Sequence, residues 1–244
     1  MQLKVFINLD EPLVLPINYN HILQGIIYNS ATGTNRFFTK QLHDKGFENS
    51  INLNDKFKLF SFSKIIGKYK VISKNIHFFN KIFFEIRSID AYFIHIIYES
   101  FLKNGIKFKD RIFKPILKIE DKVITDNSIY IQTLSPIVAI LKSDDKKTHY
   151  LTPLDNEYIQ YLNNNFNKKY QSYYNNYPNT DLEIVIADVS YKDKCVTKFK
   201  GIYINAWNGK FYINSSPECL TFIYNVGLGC RNSQGFGLFN IIEE

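Results

Sequence analysis

Residues 89–119 read IDAYFIHIIYESFLKNGIKFKDRIFKPILKI, and their pattern decides the fold. From Ile89 to Lys103 the spacing is helical, and Asn104-Gly105 closes the helix as a C-cap should. Residues 106–119 then return to strand composition. Towards the N-terminus, residues 76–88 read as a strand region, and KIIGKYKVIS (64–73) as a hairpin with Gly67 at its turn. KLFSFS (58–63) alternates like a strand, and Phe37 to Leu42 form a short helix or turn. Ile22, Leu23, Ile26, Ile27 and Ser30 make the stripe of an amphipathic helix beginning near His21, with Asn18 or Asn20 as its cap. Pro12 and Pro16 punctuate a turn before it, and LKVFINL (3–9) alternates like a half-buried strand. The order is strand, helix, strands, helix, strand.

Towards the C-terminus the same order starts again. IYIQTLSPIVAILK (129–142) is strand-like with a Ser-Pro break. Residues 154–173 are polar but carry Leu154, Tyr158, Ile159, Leu162, Phe166 and Tyr170 at helical spacing. DLEIVIADV (181–189) is a strand, 200–213 are strand-rich, 217–225 suit a short helix, and GLFNIIE (237–243) closes the chain as a strand. Two consecutive βαββαβ units predict an α+β protein of two tandem ferredoxin-like (RRM-like) domains. The polar stretch EDKVITDN (120–127) places the boundary, giving domains 1–124 and 125–244.

Composition narrows the function. A chain of 244 residues with 45% hydrophobic content can bury a core. No apolar run approaches the ~20 residues of a membrane span. The opening MQLKVFINLDEP lacks a signal-peptide layout, and three cysteines without a CxxC suggest a reducing, cytoplasmic setting and no cysteine zinc site. The net charge of +7 permits a polyanionic partner. The competing reading is compositional: the chain is rich in Lys, Asn, Ile, Tyr and Phe, as an AT-rich genome writes any protein.

The most specific local feature is GLGCRNSQGFG (227–237), with Gly227, Gly229, Gly235 and Gly237 among only 11 glycines in the chain. Such a loop permits positive φ, and its N–H groups can cradle phosphates. It is neither a Walker loop nor a dinucleotide fingerprint. Its alternative role is a tight structural loop. Of the five histidines, His77 and His95 read as packed structural residues, His149 as exposed, and His21 as a capping or surface residue. His43 stands out, ending a helical stretch before Asp44-Lys45-Gly46. No HExxH or histidine pair suggests a metal, and no motif implies a cofactor. Basic residues cluster at Lys64, Lys68, Lys70 and Lys74, at Lys107, Lys109 and Arg111 with Lys114 and Lys118, and at Lys192, Lys194, Lys198 and Lys200. Lys107, Lys109 and Arg111 would share one strand face. Lysines between aromatics suit RNA, but the reading these clusters favour on their own is solvated strand faces and edge protection.

LPINYNHILQGIIYN (15–29), LHDKG (42–46), KLFSFS (58–63), TLSPI (133–137) and GLGCRNSQGFG (227–237) occur in this order, and with them the whole chain resembles the CRISPR-associated endoribonucleases that cut the repeats of precursor CRISPR RNA, the sixth Cas family of the RAMP superfamily. The resemblance implies two ferredoxin-like domains and a metal-independent cut, in which the 2′-OH upstream of the scissile phosphate attacks in line. It places the family's catalytic histidine on His43, its tyrosine on Tyr28 and its lysine on Lys58, with Lys56 as the alternative lysine and His21 as the fallback histidine. His43 would be general acid or base, Tyr28 would serve the 2′-OH side, and Lys58 the phosphate charge. It also turns the glycine loop into an RNA surface, with Arg231, Asn232, Ser233 and Gln234 near phosphates and Lys68, Lys70, Lys107, Lys109 and Arg111 along the track. A loop that only braces the second domain is the alternative. Implied partners are CRISPR repeat RNA, effector-complex subunits and a second copy of the chain. The alternative function is a catalytically silent RNA-binding subunit of an effector complex.

Overall fold

The structure, a computed structural model, describes residues 1–38, 40, 46–48, 56–142 and 148–243. The first half comprises β1 (Gln2–Asn8), β2 (Leu13–Pro16), α1 (Asn20–Thr34), the short pair β3 (Phe47–Glu48) and β4 (Lys56–Phe57), β5 (Phe60–Phe62), β6 (Ile66–Ile72), β7 (Asn75–Ser88), α2 (Ala91–Asn104), the hairpin β8 (Ile106–Phe108) and β9 (Arg111–Phe113), and β10 (Ile116–Glu120). The long strand β7 organises a six-stranded antiparallel sheet: β1 pairs along 81–87, β2 along 75–78, β5 along 86–88 and β6 along 75–83, with β10 on the far side of β1. Alternation in β1 turns Leu3, Val5 and Ile7 inward, where they meet Leu23, Ile27 and Ala31 of α1 and Phe93, Ile94, Ile97 and Phe101 of α2. Asp90 caps α2 by accepting from the N–H groups of Tyr92 and Phe93, and Gly105 ends it at φ +69°.

The second half comprises β11 (Ser128–Thr133), β12 (Ile140–Lys142), β13 (Thr148–Tyr150), α3 (Glu157–Tyr174), β14 (Glu183–Asp188), the hairpin β15 (Lys194–Phe199) and β16 (Ile202–Trp207), β17 (Lys210–Asn214), α4 (Pro217–Val226) and β18 (Phe239–Ile241). Its four-stranded antiparallel sheet runs β14-β17-β11-β18. In both sheets the first strand pairs with the strand before the second helix, β1 with β7 and β11 with β17, and the last strand flanks the first. That is the tandem ferredoxin-like arrangement, and the α+β reading holds.

Several local expectations are corrected. Gly67 is not a hairpin turn; it lies inside β6 at a register shift, and the turn to β7 is made at Ser73-Lys74, with Ser73 at φ +55°. Residues 106–119 are not one strand: Lys109, at φ +53°, turns the β8–β9 hairpin, so Lys107, Lys109 and Arg111 do not share a strand face. Lys194 and Lys198 of the third basic cluster lie on β15, and the turn that follows is Lys200-Gly201. His95 is exposed on α2. Neither Asn18 nor Asn20 caps α1, since the capping position falls on Tyr19 without a side-chain bond. Both asparagines instead join the two halves: Asn18 Oδ1 accepts from Thr197 Oγ1 and Lys198 N, and Asn20 Nδ2 donates to the carbonyls of Gln234 and Gly235.

The strongest seam between the halves is Arg87 on β7. Fully buried, it pairs with Glu85, donates to the carbonyl oxygens of Phe239 at 2.7 Å and Tyr224 at 3.3 Å and to Asn240 Oδ1 at 2.8 Å, and lies 3.7 Å from the Tyr224 ring centroid. One side chain of the first sheet thereby fixes both α4 and β18.

A cationic cleft beside the first helix

Helix α1 has two faces. Leu23, Ile27 and Ala31 enter the core, while His21, Gln24, Gly25, Tyr28 and Thr32 recur at intervals of three and four along the other side. That second face forms one wall of a cleft of about 660 Å³, closed by Arg36, Lys40, Lys58, the tip of the β15–β16 hairpin at Phe199 and Lys200, and Gln234. Lys58 and Gln234 are shared with a smaller recess of about 270 Å³ behind them, which Lys56, Lys169, Arg231 and Ser233 help to line. Among the described residues, no Asp or Glu lines either space, whereas Arg36, Lys40, Lys56, Lys58, Lys169, Lys200 and Arg231 do. Low-dielectric walls of one charge sign concentrate the field on an incoming anion.

Tyr28 and Lys58 meet here: Lys58 Nζ lies 5.5 Å from the centre of the Tyr28 ring, whose edge packs on Phe60 with centroids 5.6 Å apart. Burial pushes the Tyr28 hydroxyl pKa well above its ordinary value, which disfavours the phenolate. His21 lines the same cleft, its Nδ1 2.8 Å from the carbonyl oxygen of Asn18. Lys56 borders the recess rather than the cleft. His43 lies outside the described residues.

The glycine loop meets this site by its carbonyls and side chains. Gly227, Gly229, Gly235 and Gly237 all have positive φ, and a Cβ at Gly237 would stand 1.9 Å from the Leu228 oxygen. The N–H groups of Gly227, Leu228, Cys230, Gln234, Gly235 and Gly237 already bond carbonyls of the protein, which corrects the picture of an open phosphate cradle at those positions. Asn232 Nδ2 ties Leu228 O to Phe236 O across the loop. From outside, Gln24 Nε2 holds Ser233 O at 2.7 Å, and Lys169 Nζ holds Gly227 O at 2.8 Å and Gly229 O at 2.6 Å. The four glycines line neither the cleft nor the recess, while Arg231, Asn232, Ser233 and Gln234 face the recess.

The remaining basic candidates lie apart. Lys68 and Lys70 are exposed on β6 and border neither space. Lys107 and Lys109 border a separate shallow depression with Ser30 and Gly33 of α1, joined to the main cleft through Asn29. Arg111 donates to the carbonyls of Glu11 and Pro12. Arg36, Lys40, Lys169 and Lys200 are the site residues that sequence reasoning left out of the site. Lys200 had a signal, its place in a basic cluster. Lys169 had none, because a lysine in a polar helix reads as solvated. Among the described residues, no group of three or more His, Cys, Asp or Glu is placed to hold a metal, and no helix is long and apolar enough to cross a membrane.

Fold and cleft together define a tandem ferredoxin-like protein with a cation-lined cleft beside its first helix. The family described as "CRISPR associated protein Cas6, C-terminal" matches residues 119–241. The chain belongs to the Cas6 family, and so takes its place among the CRISPR-associated endoribonucleases. "CRISPR-associated endoribonuclease Cas6 1" of Methanocaldococcus jannaschii is 27% identical, over all of this chain and 94% of that protein. "CRISPR-associated endoribonuclease Cas6" of Pyrococcus furiosus is 26% identical, over 95% of this chain and 85% of that protein. Among solved structures, the product of a Cas6-related gene from Pyrococcus furiosus superimposes with a TM-score of 0.83 at 26% identity, covering 100% of this chain and 99% of the other. A protein described as "An RAMP protein binding different RNA substrates" shares the fold, with a TM-score of 0.81 at 24% identity over the full length of both chains.

Proposed function

We propose that this chain is a metal-independent endoribonuclease that cuts precursor CRISPR RNA within its repeats. It divides into residues 1–124, which carry the catalytic groups, and 125–244, which carry the glycine loop. The observation that carries the reading is the cleft in which Tyr28 and Lys58 meet, with Arg36, Lys40 and Lys200 around it. In the reaction, a ribose 2′-oxygen loses its proton to a base and bonds the adjacent phosphorus. The bond from phosphorus to the 5′-oxygen breaks, and that oxygen takes a proton from an acid, leaving a 2′,3′-cyclic phosphate and a 5′-OH. The nucleophile belongs to the substrate, so positioning supplies much of the rate. His43 moves the proton; it follows Lys40, a cleft residue, by three positions in sequence. Tyr28, kept protonated by burial, donates to the 2′-oxygen side. Lys58 offsets the charge that grows on the phosphorane.

Arg231, Ser233 and Gln234 contact RNA phosphates from the loop that Gly227, Gly229, Gly235, Gly237 and Asn232 shape. Lys107, Lys109 and Arg111, then Lys68 and Lys70, extend the track. The protein works in the cytoplasm, forms a homodimer and passes its product to effector-complex subunits. The deciding experiment incubates labelled repeat RNA with the protein and EDTA. Cleavage persists and leaves cyclic phosphate ends, and His43→Ala slows it by about 10²–10⁴-fold while RNA still binds. Cleavage that stops with chelator, or that leaves a 3′-OH, overturns the mechanism. Wild-type protein that binds but never cuts establishes the alternative, a silent RNA-binding subunit.

A further inference from the structure

The recess behind Lys58 holds a feature that the cleavage mechanism does not use. Lys169, in the last half of α3, is 3% exposed. Among the described residues, its ammonium bonds only the carbonyl oxygens of Gly227 and Gly229, so one of its three protons is left without a protein acceptor. Among the described residues, no carboxylate lines the recess. The charged groups that face it there are Lys56, Lys58 and Arg231, all of its own sign. The Cys230 thiol is beside it, pushed up in pKa by burial and bonded to Tyr161, and stays neutral at neutral pH. An ammonium removed from water without a counter-ion is costly, and two carbonyl dipoles offset only part of that cost.

We propose that this recess is a phosphate subsite of the RNA track, in which one backbone phosphate beside the scissile nucleotide sits against Lys169, Arg231 and Lys58. The inference rests on the RNA-processing reading and names a contact that reading does not supply. Phosphate brings the counter-charge that the described residues do not supply to Lys169. Its oxygen accepts a hydrogen bond from the third N–H of the ammonium, and Lys169 becomes the anchor that positions the loop carrying Arg231, Ser233 and Gln234. Burial lowers the Lys169 pKa to about 7 in the free protein, and an adjacent phosphate raises it. RNA binding therefore draws a proton from solution.

The test uses the full chain and a repeat RNA with a 2′-deoxy scissile nucleotide, which cannot be cut. Calorimetry at pH 7.5 in two buffers of different ionisation enthalpy counts the protons taken up. Affinity is followed from pH 6.5 to 8.5. The wild type takes up part of a proton, and its affinity falls above pH 7 by up to about tenfold per pH unit. Lys169→Met binds weakly and loses that share of the pH dependence. Lys169→Arg restores tight binding but still lacks that share of the pH dependence, because a guanidinium keeps its charge. The difference between the wild-type and Lys169→Met profiles cancels whatever any other group contributes. Wild-type protein that binds RNA without proton uptake overturns the subsite and leaves the nuclease reading standing, and it needs no variant to fold. So does Lys169→Met with an unchanged profile. Wild-type protein that does not bind repeat RNA overturns both.

Discussion

Arg87 and Lys169 are both sealed from solvent, at 0% and 3% exposure, but their surroundings differ. Arg87 has a carboxylate partner in Glu85, three further acceptors and an aromatic face, all from the protein itself. Lys169 has two backbone carbonyls and cationic neighbours. The first pattern is that of a joint: a planar guanidinium whose fork matches acceptors on two elements at once. The second is that of a group whose electrostatics are completed by something that comes and goes. Burial alone does not tell structural charge from functional charge; the presence or absence of a protein counter-ion does.

The largest effect falls on the joint. Arg87→Met leaves Glu85 buried without its partner and frees two carbonyl oxygens, so unfolding free energy should drop by about 3–5 kcal/mol in a urea titration. A loss under ~1 kcal/mol would remove Arg87 from its role. Lys169 behaves oppositely. In the folded chain it is protonated only below about 7, against 10.5 when unfolded. Between those values the unfolded chain binds the extra proton, so raising pH favours the fold. Wild-type stability should rise relative to Lys169→Met across that window, by up to about 1.4 kcal/mol per pH unit. Parallel stability curves would show that Lys169 keeps an ordinary pKa and that the contrast with Arg87 is false.

The contrast also marks what the sequence discloses. The order of strands and helices was legible, because Leu3, Val5 and Ile7 alternate and Leu23, Ile27 and Ala31 recur at helical spacing; local patterning sets both. Tyr28 and Lys58 could be named from a family resemblance, and the fold brings them together. Gly67, Asn18 and Asn20 were misread for a common reason. Each has a favoured local role, in a turn or at a cap, and in each the tertiary structure uses it elsewhere: in a bulge within β6, or in bonds between the halves. Arg87 and Lys169 carried no sequence signal at all, since a cation in a strand or a polar helix looks solvated until its neighbours in space are known. For the glycine loop, sequence showed that backbone freedom was needed, but not that its N–H groups were already engaged.

Two smaller changes separate the loop's shape from the charge beneath it. At Gly237, φ is +75° and a Cβ would collide with backbone at Leu228, so Gly237→Ala should cost at least about 2 kcal/mol and weaken RNA binding at every pH. Asn20→Ala tests the brace from the other side. Asn20 Nδ2 holds the carbonyls of Gln234 and Gly235 at 3.1 and 3.2 Å, and a neutral side chain does this work. Its loss should cost about 1 kcal/mol by denaturation, the usual value of such bonds, and loosen the same segment that Lys169 holds from below. Nothing about it titrates near neutrality, so the pH dependence of stability and of RNA affinity should match the wild type. An Asn20→Ala protein that lost the pH dependence along with its ~1 kcal/mol would mean that loop rigidity, and not the missing counter-ion, distinguishes Lys169 from Arg87.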